Sequence, residues 1–259
     1  AQQTKQDLYL MMEDFSEAFD TIDHDHLLAI LYDLGYPVDA IEVVKNLYTG
    51  AVTQVRTPHG LTQPIAIDRG TIQGDSLSPF LFINYLEPLL RWLRVGTRGY
   101  VPGVLKRTDT GQAPQLQQVT DVTYADDLNV LTAKPEGMVV QSDKLTNYAT
   151  WACLRANSSK TILTGVLHAS KPRDPVSMPV LQTQLSGVRL AGQQPKLLPP
   201  THPFRYLGVM LTMNLSWGAQ FTKAYKDLKD ALQHLNTSCA TAGQRIRIIT
   251  SSVRAKLRY

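Results

Sequence analysis

Two short stretches of this chain place acidic side chains where a fold has little use for them. "DVTYADDLNV" (residues 121–130) sets Asp126 beside Asp127 between two runs of β-branched and apolar residues, and "DLYLMMEDF" (7–15) carries an apolar run up to Asp14. Aspartate is common in turns, so either stretch alone is unremarkable. Both runs read as strands, however, and neighbouring strands of one sheet lie about 4.8 Å apart. Acids at adjacent strand ends would repel one another unless a cation sat between them. Mg²⁺ suits such a place, because it takes hard oxygen ligands, usually one or two carboxylates with substrate phosphates and water. Two such ions about 3.5–4 Å apart stabilise both the attacking and the leaving oxygen of an in-line phosphoryl transfer. Metal-assisted phosphoryl transfer is the chemistry these residue types fit.

The elements that must position the acids can be read in order. After the first strand, "DHDHLLAILYDLGY" spaces Leu27, Leu28, Leu31 and Leu34 as a helix does and stops at Gly35. "VDAIEVVKNLYTG" repeats the device, with Asp39 as N-cap and Gly50 as the stop. "AVTQVRTPHGLTQPIAIDRG" alternates around Pro58-His59-Gly60, as a β-hairpin would. "FLFINYLEPLLRWL" is apolar nearly all round and reads as a buried helix. It is capped by Ser76 or Ser78, with Pro79 in its first turn, where a missing N–H costs nothing. An extended stretch from Gly99 to Thr120 leads into the acidic hairpin. A helix over "EGMVVQSDKLTNYATWACL" and a strand at "KTILTGVL" follow. Residues 169–203, rich in Pro, Gln and Ser, read as a surface insertion with a short hairpin at "LSGVRLAG". "FRYLGVMLTMNLSW" reads as a strand pair, and the remainder is helical. This is an α+β pattern with a mostly antiparallel sheet.

Bulk properties narrow the class. With 259 residues, 43% of them hydrophobic, the chain can bury a substantial core. It shows no signal peptide and no apolar run long enough to span a bilayer. Cys153 and Cys239 give neither a disulfide framework nor a zinc spacing, so a reducing, intracellular compartment, nucleus or cytoplasm, is expected. From Lys223 to Tyr259 eight Lys and Arg face two Asp. That excess fits a phosphate-rich partner, and equally a solvated helix face.

Five stretches, "MMEDFSEAFDTIDHDHLL", "GTIQGDSLSPFLF", "TYADDLNVL", "ANSSKT" and "FRYLGVML", occur in that order, and together they resemble the palm of a reverse transcriptase of the non-LTR (LINE-like) retrotransposon class. The resemblance runs from about Leu8 to Trp217. It implies a polymerase palm with partial fingers over residues 1–217 and the start of a helical thumb over 218–259. The implied activity is RNA-directed DNA synthesis: two Mg²⁺ ions, with Mn²⁺ as a substitute, assist transfer of dNTPs to a primer 3′-hydroxyl on an RNA template. The implied setting is a larger polyprotein with no membrane partner.

The resemblance also assigns residues. Asp14, Asp126 and Asp127 become catalytic metal ligands with the carbonyl of Phe15, Asp126 the firmer of the hairpin pair. Asp20, beyond the strand end, reads as a turn or capping residue instead. Phe19, with Ala18, would line the nucleotide pocket, its ring leaving no room for a 2′-hydroxyl. Gln73 and Gly74 would line the same pocket. Lys160 in "ANSSKT", on a turn shaped by Asn157, would act as general acid toward pyrophosphate. Tyr206, Leu207 and Gly208 would hold the primer end, although alternation alone fits an ordinary strand pair equally well. The clamping fingers of the family precede the first carboxylate, so the fragment by itself is expected to bind substrate poorly or be inactive. Two other readings compete. A non-catalytic nucleic-acid-binding scaffold is disfavoured because all three acids are present, and an RNA-dependent RNA polymerase by Phe19 and by Tyr124-Ala125 before the acids.

Overall fold

A computed structural model describes residues 6–102, 118–168 and 177–253. Strand β1 (Leu8–Glu13) leads into β2 (Phe15–Ser16), a 3-10 turn (Ala18–Asp20) and helices α1 (His24–Asp33) and α2 (Val38–Tyr48). Four two-residue strands, β3 (Val52–Thr53), β4 (Arg56–Thr57), β5 (Gly60–Leu61) and β6 (Ile65–Ala66), precede α3 (Ser78–Arg94). The acidic hairpin is β7 (Asp121–Tyr124) and β8 (Asp127–Thr132), followed by α4 (Pro135–Trp151), β9 (Arg155–Ala156) and β10 (Ile162–Val166). Helix α5 (Ser177–Gln184), β11 (Lys196–Leu197), β12 (Phe204–Tyr206), β13 (Val209–Leu211), α6 (Gly218–Thr237), α7 (Ala242–Ile248) and a π-helical turn (Ile249–Val253) complete the described order. The chain divides into two compact units, Ala1–Leu198 and Pro199–Tyr259.

The first unit is built on a five-stranded sheet in the order β11-β10-β1-β8-β7, antiparallel except for β10 with β11. β1 lies at its centre because it has apolar side chains for both faces. Tyr9 and Met11 point one way, Met11 level with Val130 of β8 and Leu163 of β10, and all four are fully buried. Against that face α3 brings Leu81, Phe82, Tyr85, Leu86, Leu89 and Leu93, and α4 brings Met138, Leu145 and Tyr148. Polar ties fix the two helices: the Tyr85 hydroxyl donates to the Ala152 carbonyl at 2.7 Å, and the Tyr148 hydroxyl donates to the Tyr85 carbonyl. Lys144 Nζ donates to the Trp92 carbonyl and Gln141 Nε2 to the Leu93 carbonyl, both in the last turn of α3. Arg94 then grips Asp121 through two bonds of 3.0 and 2.8 Å, locking the acidic hairpin to α3.

Several local expectations are corrected. Helix α3 is buried on one side only, with Phe80, Ile83 and Trp92 exposed. Neither Ser76 nor Ser78 caps it: the helix starts behind Leu77, and the Ser78 hydroxyl donates to the Ile72 carbonyl at 2.7 Å. Helix α2 begins one residue before Asp39, after Pro37, and Asp39 accepts from the Ala40 amide instead. Within 169–203, residues 169–176 lie outside the described residues, as do 103–117 of the expected extended stretch. The described part of the insertion is no surface loop, because Leu181, Leu185, Val188 and Leu190 are fully buried. Of these only Leu181 lies in α5; Leu185, Val188 and Leu190 come from the turn and irregular chain that follow it, in a stretch of polar composition. A lone bridge between Leu190 and Gln193 is what stands at the expected hairpin.

The second unit begins with the β12–β13 hairpin, whose turn has Leu207 and Gly208 both at positive φ (46° and 85°), as a tight two-residue loop demands. Helix α6 supports it: Gln220 accepts from the Met210 amide and Lys223 donates to the Gly208 carbonyl.

Gly165 of β10 is the tightest point of the main sheet. A Cβ there would lie 2.9 Å from the Leu8 carbonyl oxygen, 3.0 Å from Leu181 and 3.2 Å from the Tyr9 ring. Gly165→Ala is expected to lower unfolding free energy by about 1–3 kcal/mol. Urea denaturation checks this, read as a lower midpoint at unchanged slope.

Candidate active site

The acids meet because of strand register. The last β1–β8 pair is Glu13 with Leu128, so one further step sets Asp14 opposite Asp127. In the β7–β8 hairpin Tyr124 pairs with Asp127, which leaves Ala125 and Asp126 as a two-residue loop at the tip. Ala125 holds φ at 53°, a left-handed conformation that usually calls for glycine or asparagine. Such a conformation costs of order 1–3 kcal/mol and persists where the surrounding structure enforces it. Asp14 is pinned from the other side. Its carbonyl accepts from the Asn157 amide at 2.9 Å, and beyond it the chain pairs anew, Phe15 with Ala156.

Electrostatics follow the geometry. Partial burial and the charges of Asp126 and Asp14 together hold the Asp127 carboxyl above the ordinary aspartate range. Lys160 supplies the nearby positive charge, with Nζ 3.7 Å from Asp14 Oδ2. Asn157 shapes the turn that presents it: Oδ1 accepts from the Ser159 hydroxyl and the Lys160 amide, and Nδ2 donates to the Ser16 hydroxyl. Glu13, by contrast, points inward and is only 4% exposed. Burial pushes its carboxyl up to about 8, against the hydrogen bond from Thr161, which favours the charged form. Glu13 is thus largely neutral at physiological pH and adds no fourth charge beside Asp14. The alternation of "LYLMME" that buries Tyr9 and Met11 also buries Glu13, so a period-2 reading could have found it.

The 3-10 turn and the loop before α3 form one interlocked wall. The Thr71 amide donates to the Phe19 carbonyl and the Gly70 amide to the Ile22 carbonyl, both at 2.8 Å. Gly70 is required here, since φ is +83° and a Cβ would lie 2.8 Å from the Asp20 backbone. Gln73 Nε2 donates to both carboxylate oxygens of Asp20 at 3.1 and 3.3 Å. Asp20, read from sequence as a turn residue, therefore orients Gln73, a pairing across 53 positions that no local pattern announces. The Phe19 ring is half-buried, its centroid 4.6 Å from that of Phe82, which fixes where the ring points. Ala18 is buried in the core, Phe15 likewise, and Gln73 and Gly74 are exposed. Tyr206, Leu207 and Gly208 lie in the hairpin of the second unit.

A family model described as "Reverse transcriptase (RNA-dependent DNA polymerase)" matches residues 1–211. The chain is 25% identical over 238 residues to the "Retrovirus-related Pol polyprotein from type-2 retrotransposable element R2DM" of Drosophila melanogaster, covering 92% of this chain and 20% of that protein. It is 26% identical over 250 residues to the corresponding type-1 R2 polyprotein of Popillia japonica, covering 95% of this chain and 32% of that one. The chain thus spans a third or less of either relative. Among solved structures, an apo telomerase from Candida tropicalis, truncated from its C-terminal domain, superposes with a TM-score of 0.51 at 14% identity, over 82% of this chain and 35% of that one. At that identity the likeness shows the fold.

Three converging acids without a cation work against the fold. Asp127→Asn removes one like charge, so it is expected to raise the melting temperature in EDTA and to reduce the further rise produced by added Mg²⁺. Thermal unfolding with and without the ion checks both signs.

Proposed function

We propose, from the premise that this chain belongs to the reverse transcriptase family, that it carries the catalytic palm of an RNA-directed DNA polymerase of a non-LTR retrotransposon. The observation that carries the reading is the β1–β8 register, which brings Asp14 level with Asp127 and next to Asp126. The similarity to R2 polyproteins supports the retrotransposon assignment. The full polyprotein, its RNA template, its DNA primer and its dNTPs are part of the proposal.

The donor set fits divalent magnesium, with Mn²⁺ as a substitute. All three acids offer hard oxygens, and the charges of Asp126 and Asp14 add to partial burial in raising the proton affinity of Asp127. Two such ions, when bound, would supply the positive charge that activates a primer 3′-hydroxyl and neutralises the departing pyrophosphate. Asp14, Asp126 and Asp127, with the Phe15 carbonyl, would hold them. Lys160 hangs beside Asp14 on a turn fixed by Asn157, from which its ammonium would reach the leaving phosphates and donate a proton. Phe19, braced by Phe82, would close the space below the sugar and reject a 2′-hydroxyl. Gln73, oriented by Asp20, and Gly74 would line the nucleotide pocket beside Ala18. Tyr206, Leu207 and Gly208 would support the primer end, and the basic residues of α6 and α7 would follow the phosphate backbone. Phe19 at the sugar position favours deoxynucleotides over the ribonucleotides of an RNA polymerase, and the intact set of acids favours an enzyme over a scaffold.

Primer extension on an RNA template tests the assignment. Asp126→Asn is expected to lower incorporation at least about 100-fold with the metal-free melting temperature unchanged or raised; retained incorporation would remove the acid cluster from the mechanism. Phe19→Val is expected to raise the ratio of ribonucleotide to deoxynucleotide incorporation about tenfold or more, equivalent to ~1.4 kcal/mol of discrimination. An unchanged ratio rejects Phe19 as the sugar filter.

A further inference from the structure

A second cluster of ligand-type side chains lies apart from the three acids. Asp23, His26 and Cys153 bring a carboxylate oxygen, an imidazole nitrogen and a thiol sulfur within 4.8 Å of one another. They come from two places far apart in sequence, the start of α1 and the turn between α4 and β9. We propose that these residues form a binding site for a zinc-type transition-metal ion, distinct in donor chemistry from the all-oxygen cluster of Asp14, Asp126 and Asp127.

Each ligand is held in place by its own local structure. Asp23 is the N-cap of α1, where Oδ1 accepts from the amides of Asp25 and His26, both at 3.1 Å. That fixes the carboxylate and leaves its second oxygen for a cation. The His26 ring stacks on Trp151, with centroids 4.6 Å apart and planes 21° apart. Its Nδ1 atom is buried without a hydrogen-bond partner, at 3.9 Å from Asp23 Oδ1, too far for a bond. A buried, unpaired ring nitrogen is costly, and a metal would satisfy it. Cys153 holds φ at 55°, where glycine would be the easy choice, so the chain keeps a thiol at a place the backbone disfavours.

The chemistry selects the ion. Thiolate and imidazole prefer zinc-type ions to magnesium. A tetrahedral zinc ion with bonds of about 2.0–2.3 Å needs ligand atoms about 3.5 Å apart, so the side chains must close by only about 1 Å. Binding releases the Cys153 proton to solvent, and the thiolate and Asp23 together neutralise the ion. Three protein ligands leave a fourth position for water. The ion would tie the start of α1, three residues beyond Asp20, to the turn leading into β9, the strand that pairs with β2 next to Asp14.

Zn²⁺ and Co²⁺ titrations of the 259-residue chain carrying Cys239→Ser, in excess Mg²⁺, test the site. The expected result is one bound equivalent, a thiolate-to-cobalt charge-transfer band, and slower alkylation of Cys153 by iodoacetamide when Zn²⁺ is present. Cys153→Gly suits the left-handed backbone and is expected to fold at least as well while losing the equivalent and the band. His26→Gln is expected to lose both, and Asp14→Asn to keep both. The site is refuted if the folded chain binds no Zn²⁺, if Cys153→Gly or His26→Gln binds it undiminished, or if Asp14→Asn is the variant that loses it.

Discussion

The repulsion among Asp14, Asp126 and Asp127 is held in place by hydrogen bonds that have nothing to do with charge. The β1–β8 ladder ends at Glu13 and Leu128, one residue short of Asp14 and Asp127, and the two-residue turn at Ala125 leaves Asp126 beside them. Neither strand can slip to relieve the repulsion. A shift of one residue would turn Met11 and Val130 out of the core and bring their neighbours in, at a cost of several buried apolar side chains. Burial on one face of the sheet thus enforces acidity at its edge. The same alternation turns Glu13 inward, where desolvation keeps it largely neutral, so the local charge is set by three acids and not four.

Around that edge, the remaining parts are fixed by ties over long sequence distances. Asn157 connects Ser16 to the turn bearing Lys160. Asp20 holds Gln73, and Phe82 holds the Phe19 ring. Arg94 anchors the base of the acidic hairpin to α3. Apart from Asn157, which shares its turn with Lys160, each supporting group comes from a different helix or loop than the group it positions, so these side chains are preorganised by packing of the whole unit. The Asp23, His26 and Cys153 group belongs to the same scaffold, where the first turn of α1 meets the turn after α4.

Much of the frame was legible because it is periodic. Apolar runs mark β1 and β10 as strands, and the spacing of Leu27, Leu28, Leu31 and Leu34 marks α1, whose stop at Gly35 has the expected positive φ. The failures have specific causes. Helix α5 escapes a local reading because Pro, Gln and Ser dominate the composition around it, and Leu181 is its one fully buried side chain among those described. The caps of α2 and α3 were misplaced because Asp39, Ser76 and Ser78 are good capping residues in general, whereas the actual helix starts are set by Pro37 and by the loop hydrogen bond of Ser78.

By itself the sequence determined the chemical inventory and its local geometry: paired acids at a strand–turn–strand, an acid at a strand end, an aromatic five residues on, a lysine in a loop. These depend on side-chain type and on backbone periods of two or 3.6 residues, which any short window contains. Tertiary structure alone decided which groups share a site. The nearness of Asp14 to Asp127, the bond of Gln73 to Asp20 and the nearness of His26 to Cys153 depend on how the sheet and helices pack. Contacts between residues more than fifty positions apart leave no imprint on any local pattern, because they are fixed by core burial summed over the whole unit.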